Sequence, residues 1–189
     1  MSDDKKHCTP LIPPLASYNY FLFGKDVDPC SINEVITFIL ERNLTKSRPD
    51  AIRLVINSQG GELQSAFALI DVMEASVVPV WTYGLGSLCS AALTIFIGGN
   101  KGHRYITKNT SILSHQFSWA NYGKEHELIA SVKEIDLTQR RMMDHYKKHT
   151  KMTEANIKKL LLPPEDVWLS SQDAVKYGLA DHIMTGSFS

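Results

Sequence analysis

Residues 51–61 read Ala-Ile-Arg-Leu-Val-Ile-Asn-Ser-Gln-Gly-Gly. The first seven are mostly apolar, the pattern of a short strand buried on both faces. Gly60 and Gly61 then break the chain, and they permit a positive φ and the close approach of another backbone. An apolar helical stretch follows at once, expected over Leu63–Ala75. Strand, glycine turn and helix in succession form the first half of a unit that pairs its strands in parallel.

The alternation repeats on both sides. Upstream, Asn19–Phe23 predicts a short strand. Ser31-Ile-Asn-Glu34 fits a capping box, and Val35, Ile36, Ile39 and Leu40 lie on one face of the helix it would start. Downstream, Val77–Tyr83 predicts a strand, Gly84 and Gly86 a turn, and Cys89–Phe96 a buried helix. His103–Ile106 and Ser111–Ser114 predict two more strands. The expected fold class is α/β, built in layers.

Residues 125–149 break the rhythm. They predict one helix of about 37 Å at about 1.5 Å per residue. Leu128, Val132, Ile135, Met142 and Tyr146 recur on one face, with Gln139 in the gap. A domain of this size has a radius of about 16 Å, so such a helix projects. Its apolar stripe needs cover, and a second subunit is the natural source. A helix lying across its own sheet is the alternative.

The chain has 189 residues, 43% hydrophobic and 21% charged, with net charge +0. That suits one globular domain over 19–189 behind a proline-rich, flexible arm at 1–18. Residues of about 117–162 would make the projecting handle. Without a charge excess, nucleic acid and anionic membranes are poor partners. The first apolar run is broken by Pro10, Pro13 and Pro14, which does not fit a secretory signal. Leu88–Gly99, interrupted by Ser90 and Thr94, is too short for a membrane span. Cys8, Cys30 and Cys89 show no metal-binding spacing and read as reduced thiols of a cytoplasmic protein.

Three segments carry chemistry. The glycine turn after residues 51–57 can aim backbone N–H groups at a developing oxyanion. In Gly84-Leu-Gly-Ser-Leu-Cys-Ser90-Ala-Ala, a serine stands where a helix begins, with the positive potential of a helix N-terminus beside it. Ser90 reads as a nucleophile or as a simple cap, and Ser87 and Cys89 are rival nucleophiles. In Ser111-Ile-Leu-Ser-His115-Gln116, a histidine ends a strand, as a general base or as a structural residue. His103, His126, His145, His149 and His182 sit near charged or helical surface positions and are poorer candidates. Asp166, Glu165 and Asp173 are the carboxylates that could orient His115.

Together these segments resemble the Clp protease proteolytic-subunit family, over about Tyr20 to Ile183. The turn is similar to that family's Asn-Ser-Pro-Gly-Gly, with Gln59 in place of proline. The family's nucleophile follows the first glycine by 30 residues and its histidine follows the serine by 25, matching Gly60, Ser90 and His115. His115-Gln116-Phe117 stands for His-Gln-Pro. Asp166-Val-Trp-Leu-Ser and Val175-Lys-Tyr-Gly-Leu-Ala-Asp181 match the segments at and after the family's aspartate. The spacing from histidine to Asp166 is about two residues longer than usual.

The resemblance implies a crotonase-like fold and a serine endopeptidase that cleaves unfolded polypeptides or short peptides inside an oligomeric chamber. Ser90, His115 and Asp166 would form the triad, and the N–H groups of Gly61 and Ala91 the oxyanion hole. It implies no cofactor or metal, a homo-oligomer of two stacked heptameric rings joined through the handle, and an AAA+ unfoldase as partner. Two departures fit a divergent or phage-encoded member. The segment Gly-Glu-Arg-Ala-Tyr-Asp-Ile-Tyr-Ser is lacking near the start. Arg53 and Val55 stand where the family often carries tyrosines that dock the ATPase. Two alternatives remain: an inactive ring subunit, and another crotonase-like acyl-transfer enzyme such as an acyl-CoA hydratase, which works through carboxylates.

Overall fold

A computed structural model describes residues 14–188. Its centre is the strand announced by residues 51–57, here β2 (Ile52–Ser58). β2 runs parallel to β1 (Tyr20–Phe23) on one side and to β3 (Val80–Cys89) on the other. Between these strands run α1 (Pro29–Leu44) and α2 (Leu63–Ala75). The sheet continues through β4 (Arg104–Ile106) to β7 (His182–Ile183), again in parallel. A second arm leaves β3 through β5 (Ser111–Ser114), parallel, and β6 (Val167–Leu169), antiparallel. The helices α3 (Ala91–Ile97), α4 (Glu125–His149), α5 (Glu154–Leu160) and α6 (Ser171–Tyr177) complete the order. One apolar cluster joins both arms, from Ile32 and Val35 through Leu54, Ile56 and Leu69 to Leu93, Phe96, Leu169 and Leu179.

β3 is longer than the sequence reading gave it. Gly84 and Gly86, expected as a turn, lie inside the strand. The register against β2 jumps from Ile56↔Gly84 to Ser58↔Leu88, so β3 bulges there. Gly86 sits at φ 63, and a Cβ on it would come within 2.6 Å of Asn57 Oδ1. That same Oδ1 accepts a hydrogen bond from the Ser87 N–H at 2.9 Å. The bulge re-aims β3, so that Thr82–Gly84 pairs with β4 and Ser87–Cys89 with β5. The following helix starts at Ala91 and not at Cys89, which belongs to the strand.

The capping box of α1 also moves. Its N-cap is Asp28, with Pro29 at the first turn, where a missing N–H costs nothing. The Ser31 N–H donates to Asp28 Oδ1 at 2.8 Å and the Asp28 N–H to Ser31 Oγ at 3.1 Å. Glu34, expected to close the box, instead pairs with Lys25 at 2.7 Å. Residues 15–18 form a 3-10 turn held by Arg42 Nη2, which donates to the Ala16 carbonyl at 2.7 Å. Residues 1–13 of the expected arm lie outside the described residues.

α4 divides in two. Thr138, Met142, His145 and Tyr146 are buried, whereas Leu128 and Val132 are exposed and Ile135 is half-buried. The expectation that His145 lies at the surface is therefore corrected: its imidazole packs between α4 and α3. Among the described residues no helix is long and apolar enough to cross a membrane.

Candidate active site

The second arm of the sheet gathers the residues of interest by register. β3 and β5 pair Cys89 with Leu113, and β5 and β6 pair Ser114 with Val167. One step beyond these last pairs stand Ser90, His115 and Asp166. In an antiparallel ladder, the residues beyond Ser114 and Val167 face each other, so His115 and Asp166 are opposite by construction. Three strand ends thus meet although 76 positions separate Ser90 from Asp166 in number.

Ser90 is held at φ 54, ψ −124, a conformation that costs a non-glycine residue about 1–3 kcal/mol. It is fixed from both sides: the Ser90 N–H donates to the Leu113 carbonyl at 2.9 Å, and the Thr94 N–H donates to the Ser90 carbonyl at 3.2 Å. Its side chain makes no capping hydrogen bond to α3. The sharp strand-to-helix turn instead presents the hydroxyl to a cavity of about 430 Å³, which His115, Gly61 and Ala91 also line. Strained serines at such turns are a recurring device for exposing a nucleophile.

The glycine turn is pressed against this serine. A Cβ on Gly60 would lie 2.5 Å from the Cys89 carbonyl oxygen and 2.9 Å from Ser90 Cβ. A Cβ on Gly61, at φ 146, would run into the Val27 carbonyl. The Val27 N–H donates to the Gly60 carbonyl at 2.8 Å, and the Glu62 N–H to the Val27 carbonyl at 2.7 Å. In that parallel bridge the Gly61 N–H is turned away from Val27. Ala91 opens α3, so its N–H has no acceptor within the helix.

The rival nucleophiles are placed elsewhere. Cys89 is 2% exposed, and burial pushes its thiol above the usual range. Ser87 Oγ accepts from Gln59 Nε2 at 3.1 Å and lies outside the cavity lining. Among the carboxylates, Asp173 is committed to the N-cap of α6, where Ser170 Oγ donates to it at 2.6 Å. Asp166 Oδ1 lies 4.0 Å from His115 Nδ1, with the aspartate side chain 64% exposed. Among the described residues, no hydrogen bond joins Ser90 Oγ to His115. Ser90 and His115 line the same cavity, and Asp166 stands outside it, behind His115.

Sequence reading missed the cavity's apolar wall: Phe117 and Trp119 after β5, and Met142 and Tyr146 from α4. The signal was the α4 stripe, which was read first as a surface for other subunits and, as the alternative, as a helix lying across its own sheet. On the far side of the sheet, Arg53 lies between the Tyr20 and Trp81 rings, at 5.3 and 5.0 Å, and Val55 is buried. Trp81 stacks on His103 at 4.1 Å, and Tyr83 on Tyr105 at 5.0 Å. An aromatic face occupies the place where the resemblance implied two docking tyrosines.

Comparison with known proteins agrees with this geometry. The family model described as Clp protease matches residues 5–187. The chain is 31% identical over 171 residues to the ATP-dependent Clp protease proteolytic subunit 2 of Corynebacterium glutamicum, covering 90% of this chain and 84% of the relative. It is 28% identical to proteolytic subunit 1 of Corynebacterium jeikeium, covering 98% and 97%. The proteolytic subunit of Deinococcus radiodurans is 31% identical, over 85% of this chain and 78% of its own length. With the glycine turn, the strained serine and the strand-end histidine in the order the resemblance required, and a match along nearly the whole chain, the protein belongs to the Clp protease family.

Proposed function

We propose that this chain is the proteolytic subunit of a Clp-type protease, a serine peptidase whose triad is Ser90, His115 and Asp166. The observation that carries this reading is Ser90 itself. It is strained, its hydroxyl is not used as a cap, and it opens into a cavity that His115, Gly61 and Ala91 also line.

In this reading His115 takes the proton of Ser90 Oγ as that oxygen attacks the scissile carbonyl. The Gly61 and Ala91 N–H groups receive the oxyanion, and His115 then gives its proton to the leaving amine. Water repeats the cycle on the acyl-enzyme. Asp166 holds the imidazole in one tautomer and stabilises its charged form. The 4.0 Å gap between Asp166 and His115 must close for this, as catalytic hydrogen bonds often tighten only when substrate is bound. Phe117, Trp119 and Met142 would place an apolar substrate side chain beside the cleaved bond.

The bare half of α4 favours a ring assembly, in which the His115 loop is braced by neighbouring subunits. A partner ATPase would feed it, docking on the aromatic face around Arg53. The hydratase alternative is less favoured: among the described residues, Glu62 is the one carboxylate in the cavity lining, and its Oε2 accepts from Ser65 Oγ at 2.7 Å.

The test is labelling by a fluorophosphonate probe together with peptide hydrolysis. Ser90→Ala should abolish labelling and lower kcat by on the order of 10⁶, with Ser87→Ala and Cys89→Ala close to wild type. Full activity in Ser90→Ala would sink the assignment.

A further inference from the structure

Away from the cavity, the C-terminal end of α4 carries two histidines one turn apart. His145 and His149 share a face, with ring centroids 4.6 Å apart. Glu74, in the last turn of α2, faces them. Each of the three offers one ligand atom, and these atoms lie within 4.8 Å of one another. We propose that Glu74, His145 and His149 form a site for a borderline divalent cation, zinc first, which fastens the end of α4 to α2.

The hydrogen bonds show which atoms an ion would take. His145 Nε2 lies 2.8 Å from the Thr94 carbonyl, which can only accept. That nitrogen therefore carries the proton, and the lone pair is on Nδ1. A ligating histidine typically has this arrangement, with its second ring nitrogen donating to a carbonyl behind it. Glu74 Oε2 is anchored by Lys148 Nζ at 2.7 Å, while Oε1 accepts a long hydrogen bond from His149 Nε2 at 3.4 Å. An ion would displace the proton of that long bond and take both of its ends.

Two imidazoles and a carboxylate suit zinc and its neighbours, whereas magnesium and calcium prefer oxygen alone. Tetrahedral donors at zinc distances stand about 3.3 Å apart, so the ion would draw the three side chains together by an ångström or so. A groove of about 500 Å³, lined by Glu74 and His145, gives a way in and leaves room for a water as fourth ligand. Through Thr94 the site would also steady α3, which begins beside Ser90.

The test uses the intact protein, stripped with a chelator and titrated calorimetrically with zinc chloride, with magnesium as a control. One zinc per subunit is expected, with a rise in Tm. Binding should persist in His115→Ala, which removes the imidazole of the candidate active site. Glu74→Gln and His149→Ala each remove one ligand, and each should weaken binding by roughly 100-fold and remove the Tm rise. Cobalt in place of zinc should give a four- or five-coordinate visible spectrum that both variants lose. Absence of binding at micromolar zinc would overturn the site. So would binding that survives both variants, or binding lost in His115→Ala alone.

Discussion

The two halves of α4 carry the same apolar rhythm and meet different surroundings. In the C-terminal half, Met142 and Tyr146 are 6% and 1% exposed, packed on α3 and the cavity wall. In the N-terminal half, Leu128, Ile129 and Val132 are 39%, 61% and 55% exposed. The C-terminal end is also fastened by polar groups. Arg104 Nη1 donates to the His149 carbonyl at 2.9 Å, and Asp181 holds Arg104 through Nη2 and Nε at 2.7 and 2.9 Å. Periodicity in a sequence says that a helix face needs cover. It does not say whether the cover comes from the same chain. Here the chain covers one half and leaves Leu128, Ile129 and Val132 of the other exposed, the strip that the proposed assembly would cover.

The largest effect should come from the bare half. Val132→Glu with Ile135→Glu places two charges on the strip without touching the subunit's buried core. Sedimentation should show the wild-type particle split into smaller rings, and peptide hydrolysis should fall at least tenfold as the His115 loop loses its brace. A wild-type monomer of 21 kDa at micromolar concentration that still cleaves peptides would break the comparison outright.

How much of this was legible depended on whether the signal was local. α2, β5 and α4 have the bounds their residues announced, because each is a single run of one period. The Ser90–His115 relation was legible as a spacing, and the parallel register between β3 and β5 is consistent with it: one step beyond Cys89↔Leu113 sets Ser90 beside Ser114, and His115 is the next residue. Asp166 was harder to read. It is positioned by an antiparallel strand that returns only after α4 and α5, so its distance along the chain carries little information. β3 was misread because Gly84 and Gly86 look the same in a turn and in a bulge. His145 was misread because its chain neighbours, Asp144 and Lys147, are charged, while its own side of the helix faces α3. The His145–His149 spacing was visible, but nothing local could point to Glu74 on another helix.

The fastened half should respond to the loss of its clamp. Asp181→Asn strands Arg104, whose side chain is 3% exposed, at a cost of about 3 kcal/mol. Burial opposes the charge of Asp181, but the Arg104 hydrogen bonds and charge outweigh it and hold the carboxyl below its ordinary value. A carboxylate lowered in the folded state stabilises the fold at pH above its unfolded value of 3.8, and that stability is lost as pH falls through the folded value. Urea unfolding in the Val132→Glu, Ile135→Glu background, at one fixed protein concentration, limits linkage to assembly to that of the smaller rings. Wild type and Asp181→Asn should differ most at pH 7 and converge as pH falls through the folded value. A difference that stays constant across that range would mean the clamp acts by shape and not by charge.

The smallest effect should lie at the bare end. The Lys124 N–H donates to Glu127 Oε2 at 3.0 Å, which satisfies a free donor at the start of α4 and sets a negative charge near its N-terminus. Glu127→Ala should cost less than about 1 kcal/mol, because no core of this subunit depends on that turn. The change should show as faster amide exchange over residues 124–131, where fraying of the first turn is opposed by little else. If the assembled particle covers this strip, exchange there should be fast in split rings and slow in the wild-type particle, and the Glu127→Ala difference should shrink on assembly. A cost of 2 kcal/mol or more in the isolated subunit would show that its own chain already fixes the N-terminal half, and the contrast between the two halves would fail.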